Sequence, residues 1–164
     1  FLRMQGMRAN RSVTNVEQSF AVEQRLISAT DPSGKITYCN KEFIRISGYT
    51  ETELLGSPHN LVRHPDMPAA VFAVMWSYLK AGKSWMGVVK NRCKNGDFYW
   101  VSAYVTPILE DGQLIGYESV RVKPSRSQVE RAQLIYDRIR QGKEPISMQR
   151  RALSLLSVLP PTHF

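Results

Sequence analysis

Read as a pattern of apolar and polar positions, the chain alternates between two periods. Arg25 to Ala29 and Lys35 to Cys39 have the short, β-branched character of strands, and Asp31-Pro-Ser-Gly34 between them is a turn, so the ordered region opens with a hairpin. Asn40 caps a helix over Lys41 to Ser47, with Phe43, Ile44 and Ile46 on its apolar side and Gly48 as its stop. Thr50-Glu-Thr-Glu53 has capping-box spacing and starts a second short helix ended by Gly56. Pro68 opens a third helix, with Asp66 as its capping candidate, and Val71, Phe72, Met75, Trp76 and Leu79 recur at helical spacing as far as Gly82. Asn95-Gly96 reads as a type I′ turn between two apolar and aromatic runs. Phe98 to Leu109 is a long strand in which Pro107 marks a bulge or an edge, and Asp111-Gly112 turns it into a last strand, Gln113 to Val122.

That order, β-β-α-α-α-β-β-β, predicts an α+β domain: a five-stranded antiparallel sheet with helices over one face. Pro124 breaks the sheet. Ser127-Gln-Val-Glu130 is a second capping box, and Val129, Ala132, Ile135, Tyr136 and Ile139 make one stripe on a helix running to Arg140. A further amphipathic run covers Ile146 to Leu159. Three parts follow: an N-terminal cap or flexible segment (1–25), the domain (26–123) and a C-terminal helical linker (124–164).

Charge changes this picture little. The net charge is +8, but residues 26–123 hold eleven basic and nine acidic groups, or +2, so the excess sits in the flanks. A solvated helix face accounts for it without a nucleic-acid partner. Two cysteines make no disulfide framework and no metal cluster, which fits a reducing cytosol. No apolar run approaches the roughly 20 residues of a membrane span.

The chemistry concentrates in residues 58–100, which contain all three tryptophans and two of the three histidines. Strand alternation puts Trp85, Gly87, Val89 and Asn91 on one face. Trp85 is either a core aromatic or a flat ligand-packing face with an indole N–H to offer. Gly87 lets a ring system approach the backbone. Arg63, His64 and Asp66 form a polar loop: either Arg63 meets phosphate through its planar fork, or Asp66 caps the helix and Arg63 pairs with it.

The element order over 26–123 is that of PAS sensor domains, and Asn40-Lys-Glu-Phe-Ile-Arg-Ile-Ser-Gly-Tyr49 resembles the segment after their second strand. Pro58-His-Asn-Leu-Val-Arg-His-Pro-Asp-Met-Pro68, Met75-Trp76, Trp85-x-Gly87, Val89-Lys-Asn-Arg92 and Lys94-Asn-Gly-Asp97 resemble the PAS domain of bacterial aerotaxis receptors, which hold FAD and report redox state to a chemotaxis signalling domain. The resemblance implies FAD held by Asn40, His59, Arg63, His64, Asp66, Trp76, Trp85, Asn91 and Glu118. Asn91 matches a flavin-contacting asparagine of LOV photosensors. Glu118 matches their flavin-contacting glutamine, which would set Gly116, Glu118 and Val120 on the pocket face; otherwise Glu118 faces solvent. Asn40 either caps its helix, meets the adenosine side, or does both. The resemblance further implies a non-enzymatic sensor at the inner face of the bacterial membrane, a homodimer in the full receptor, a signalling region as partner, and membrane contact only through other parts of the receptor. Three alternatives weigh less. A flavoenzyme lacks its Gly-x-Gly-x-x-Gly fingerprint, a LOV photoreceptor lacks a cysteine in 58–68, and a haem sensor would need His59 or His64 in an apolar pocket.

Overall fold

The computed structural model describes residues 12–143. The run Ile146 to Leu159 lies outside the described residues. Five strands, β1 (Leu26–Thr30), β2 (Ile36–Cys39), β3 (Trp85–Arg92), β4 (Phe98–Glu110) and β5 (Gln113–Val122), form one antiparallel sheet in the order β2-β1-β5-β4-β3. Between β2 and β3 the chain crosses one face as α1 (Lys41–Ser47), α2 (Glu51–Leu54), a 3₁₀ turn (His59–Val62) and α3 (Ala69–Lys80); α4 (Arg126–Arg140) follows the sheet. The α+β architecture is the expected one.

Local chemistry explains most element ends. The Asn40 side chain accepts from the Phe43 N–H, and Gly48 closes α1 with a left-handed φ of 75°. Thr50 caps α2 through the Glu53 N–H. In α4 the stripe holds, with Val129, Ala132, Tyr136 and Ile139 buried, but its capping box is Ser125 with Gln128, two residues earlier than read. Ser-x-x-Gln satisfies the same two donors as soon as Pro124 has ended the strand.

Two turns exchange roles. The β4–β5 connection is the two-residue one, with Asp111 (φ 49°) and Gly112 (φ 78°) both left-handed and Glu110 paired with Gln113, as a type I′ turn requires. At the β3–β4 turn only Gly96 has positive φ. There Gly96 N–H donates to the Cys93 carbonyl at 3.0 Å and Cys93 N–H to the Asp97 carbonyl at 2.8 Å, a longer loop with glycine at its left-handed position. Asn95 instead uses its side chain, accepting from Asp97 N–H at 2.9 Å. Pro107 pairs with Tyr117 beyond the last β3 partner, Val105, so its missing N–H leaves no gap; the bulge falls at Ile108/Leu109.

The N-terminal segment is more ordered than its polar composition suggests. Phe98 N–H donates to Val16, Gln18 N–H to Phe98 and Thr14 N–H to Gly96, so residues 14–18 run along β4 where β5 has already ended. Asp97 fastens them, accepting from Thr14 Oγ1 (2.6 Å) and Gln18 Nε2 (2.7 Å), bonds that hold its carboxyl below the usual range. Phe20 then enters the core.

β5 lies between β1 and β4, and its approach to β1 leaves no room for a side chain at Gly116, where an added Cβ would sit 2.0 Å from the Thr30 carbonyl oxygen. Gly116→Ala should therefore cost about 3 kcal/mol, the upper end for over-packing, read as a lower urea midpoint at unchanged m-value. An unchanged midpoint would show that β1 yields freely.

Candidate functional site

The helices roof a cavity of about 240 Å³ whose floor is the sheet. Register decides which side chains reach it. Leu26 pairs with Arg121, Ser28 with Ser119 and Thr30 with Tyr117; Ala103 pairs with Arg121 and with Gly87, and Tyr99 with Asn91. Directly paired residues share a face, so Ser28, Trp85, Val89, Asn91, Val101, Ala103, Tyr117, Ser119 and Arg121 point toward the helices. Two contacts confirm the side: Trp76 of α3 meets the Tyr117 ring edge-to-face at 5.2 Å, and the Arg121 guanidinium lies 4.5 Å from the Phe43 ring centre of α1.

Of the nine residues expected to bind a ligand, His59, Arg63, Trp76, Trp85, Asn91 and Glu118 border the cavity. Trp85 is buried, and its indole folds over Gly87, where an added Cβ would lie 2.3 Å from the ring. The ring that Gly87 admits is thus Trp85's own. The Trp85 Nε1–H is buried with no partner. The Tyr99 hydroxyl, beside the Asn91 amide, also lacks a hydrogen bond of good geometry, and burial raises its pKa far above the ordinary phenol value. Arg63 stands at the rim with its guanidinium 4.0 Å from the Phe72 ring centre, and its backbone bridges to Asn91.

Glu118 requires a correction. It pairs with Ala29 and Thr106, the face turned away from the helices. It touches the cavity's border, but its side chain, like that of Val120, belongs to the far side, which is also the face of position 116. Ser119 and Tyr117 take the inward places. Alternation had two solutions here, and the match to the LOV glutamine selected the wrong one.

Asn40, His64 and Asp66 do not line the cavity. Asn40 serves the fold: Oδ1 accepts from Phe43 N–H and Ile27 N–H, and Nδ2 donates to the Arg25 carbonyl. The loop after the 3₁₀ turn wraps the β3 edge and carries His64 and Asp66 away. His64 packs edge-on against Phe98, and its Nδ1 accepts from Asp66 N–H at 3.0 Å, leaving Nε2 buried without a partner. Asp66 does not cap α3, whose first turn has no side-chain cap. It pairs with Lys90 Nζ and Arg140 of α4, both at 2.9 Å. Burial opposes ionisation there, but the Lys90 hydrogen bond and the charges of Lys90 and Arg140 prevail and hold the carboxyl below its usual range. Arg63 and Asp66 therefore do not form the pair that their spacing allowed.

Sequence reasoning missed the cavity's most unusual group. Arg121 is 2% exposed. Its Nη2 donates to Ser28 Oγ (2.6 Å), Nη1 to His59 Nε2 (3.2 Å) and Nε to the Leu26 carbonyl (3.3 Å). Burial lowers its pKa to about 10, which leaves it charged at neutral pH. Because Arg121 can only donate, His59 Nε2 is an acceptor, so the Ser28 hydroxyl donates a hydrogen bond to it at 2.9 Å and the imidazole carries its hydrogen on Nδ1. Burial, then the Arg121 charge, push His59 down to about 3. Inward alternation with Tyr117 was the available signal, and it became legible only once β1 had fixed the register.

A sheet of order 2-1-5-4-3 with helices roofing a cavity on one face defines a PAS domain. Residues 36–121 match the family model described as the PAS fold, and the chain belongs to that family. Within that family it is similar to the aerotaxis receptor of Escherichia coli (strain K12), with 43% identity over 137 residues, covering 84% of this chain and 27% of the receptor. It is 33% identical over 105 residues to the nitrogen fixation regulatory protein of Klebsiella pneumoniae, 63% of this chain and 20% of that protein. The chain thus spans 27% and 20% of the length of these two relatives. Among solved structures, a light-oxygen-voltage domain studied with a flavin analogue superposes with a TM-score of 0.60 at 17% identity, over 88% of this chain and 97% of that one. The dark state of the blue-light photoreceptor Aureochrome1 LOV gives 0.59 at 17% identity, over 73% and 86%. At that identity the likeness is one of fold. The domain is a PAS sensor module of the kind carried by receptors and regulators.

The histidines give a pH test. His64 is lowered to about 4, by burial first and then by Lys90. Both folded-state values lie below the unfolded 6.5, so acid protonates the unfolded chain first and stability falls as pH drops below 6.5. The slope should approach about 1.4 kcal/mol per pH unit for each histidine between pH 6 and 5. Urea titrations should show it, and a flat profile in that window would refute the neutral buried assignments.

Proposed function

We propose that residues 26–123 are a flavin-binding redox sensor that holds FAD and passes its state to a signalling region through α4. The observation that carries this reading is a largely apolar cavity on the sheet bordered by Asn91 and by Trp85, whose Nε1–H is buried without a partner. A buried donor without a partner is costly, and a planar ring with carbonyl and ring-nitrogen acceptors would satisfy it. The cavity volume lies below the roughly 300–1,000 Å³ usual for ligand pockets. It suits one ring system, with the rest of a dinucleotide at the rim.

A flavin, when bound, supplies a ring that takes up and releases electrons reversibly. The chain's own residues divide the work of holding it. Asn91 offers donor and acceptor together to a pyrimidine edge. Phe72, Met75 and Trp76 of α3 supply the apolar roof. Arg63 at the rim has the fork geometry for a diphosphate, which favours FAD over FMN. Neither histidine suits a haem iron, because His59 Nε2 is engaged by Arg121 and Ser28 and His64 lies off the cavity. The fused receptor would place the domain at the inner face of a bacterial membrane, as a homodimer and without an enzymatic activity. Among the described residues no helix is long and apolar enough to cross a membrane.

The absorption spectrum of the purified protein tests the reading: two flavin bands are expected, and the released cofactor should run as FAD. A colourless protein that also fails to bind added FAD would sink it. Trp85→Phe and Asn91→Ala should each weaken FAD binding about tenfold, the loss of roughly one hydrogen bond, whereas Met86→Ala on the opposite face should change it little. Arg63→Ala should lower FAD retention with circular dichroism unchanged.

A further inference from the structure

The Arg121 cluster is not accounted for by phosphate binding at the rim or by the ring contacts of β3. Arg121 is desolvated and charged, yet among the described residues no carboxylate lies within ion-pair distance of it. Its partners, Ser28, His59 and the Leu26 carbonyl, are all neutral, and His59 stays neutral through the physiological range. These bonds use three of the five guanidinium N–H groups. A buried cation without a counter-charge is an expensive feature, and apolar replacement of buried charges is often neutral or stabilising. Its one further contact, the Phe43 ring 4.5 Å from the guanidinium, supplies no counter-charge. The side chain borders the cavity at the β5 floor, across from Trp85 and Asn91 on β3.

We propose that Arg121 is the recognition group for an acceptor-rich, negatively polarised edge of the ligand's ring, with Ser28 and His59 as positioning residues that hold its fork. This deepens the flavin reading and rests on it. Ser28 and His59 fix two guanidinium nitrogens from one side, so the remaining N–H groups are pre-aimed and little rotamer freedom is lost on binding. Trp85 Nε1–H and Arg121 together make the cavity rich in donors, which selects a ring bearing carbonyl or anionic acceptors over one of equal size bearing amino groups. The alternative, that Arg121 meets the diphosphate, conflicts with its depth beneath a cavity that fits only a ring.

The test separates ring from phosphate by using two probes on apo-protein: lumiflavin, which has the ring alone, and FAD. Fluorescence titration should show wild type binding both. Arg121→Met should weaken lumiflavin and FAD alike, by at least about tenfold, as expected for loss of a charge-assisted hydrogen bond. Its apo-form should melt no lower than wild type. Arg63→Ala should weaken FAD only. Lumiflavin affinity within twofold of wild type in Arg121→Met would overturn the proposal and leave the flavin reading intact, and a lowered melting temperature with unchanged lumiflavin affinity would reassign Arg121 to folding. A wild type that binds FAD but not lumiflavin would also overturn it, by moving recognition to the phosphates. A wild type that binds neither would overturn the flavin reading and the proposal with it. If Arg121→Met does not fold, Arg121→Lys, which keeps charge without the fork, is read in its place, and unchanged lumiflavin affinity there overturns the proposal equally.

Discussion

The register of β5 is the constraint on which the site depends. This strand is paired on both sides, to β1 through Leu26↔Arg121 and to β4 through Ala103↔Arg121. Two ladders must agree on one alternation, and a slip of one residue would move Tyr117, Ser119 and Arg121 off the cavity face and set Glu118 in their place. Gly116 enforces the choice locally, since only a residue without a side chain lets the strand approach Thr30 so closely. The cavity's character follows. Its floor carries a cation and neutral hydrogen-bonding groups instead of a carboxylate.

A second constraint is the path of the chain between the 3₁₀ turn and α3. Within four residues it changes sides. Arg63 stays with the cavity, its backbone bridged to Asn91, while Asp66 reaches Lys90 and Arg140. Composition alone could not separate them, because both belong to one polar run. What separates them is the edge position of β3, which leaves the strand's open side for a loop to wrap around.

The fold was legible because its signals are local. Caps at Asn40 and Thr50, the helical spacing from Val71 to Leu79 and the strand character of β3 to β5 each act within a few residues. The cavity wall on β3 was legible for the same reason, since Trp85, Val89 and Asn91 follow from alternation within one strand. The wall on β5 was not. Tyr117-Glu-Ser-Val-Arg121 offers a mixed pattern on both faces, and its phase is set by β1, some ninety residues away. The same limit hid the N-terminal segment, whose order comes from Asp97 and the free side of β4 rather than from its own polar sequence. His64 and Asp66 were assigned to a ligand by resemblance, and geometry instead packs His64 on Phe98 of β4 and gives Asp66 partners on β3 and α4.

The partners of Asp66 link the cavity wall to α4 in a short chain of contacts. Successive residues of β3 face opposite ways: Asn91 borders the cavity, and Lys90, one position earlier, holds Asp66 on the other side. Asp66 also binds Arg140, and Tyr136 of the same helix donates to the Val88 carbonyl. A small twist of β3 at Asn91 therefore cannot occur without displacing Lys90, and through Asp66 it bears on the last turn of α4. An exposed ion pair would be too weak to matter here. The Asp66 cluster is only partly solvated, and its carboxylate bridges two cations from different elements, Oδ2 on Lys90 and Oδ1 on Arg140, so one anion ties the strand to the helix. The tie between the cavity wall and α4 thus runs along the edge strand, while β5, paired on both sides, is held in register.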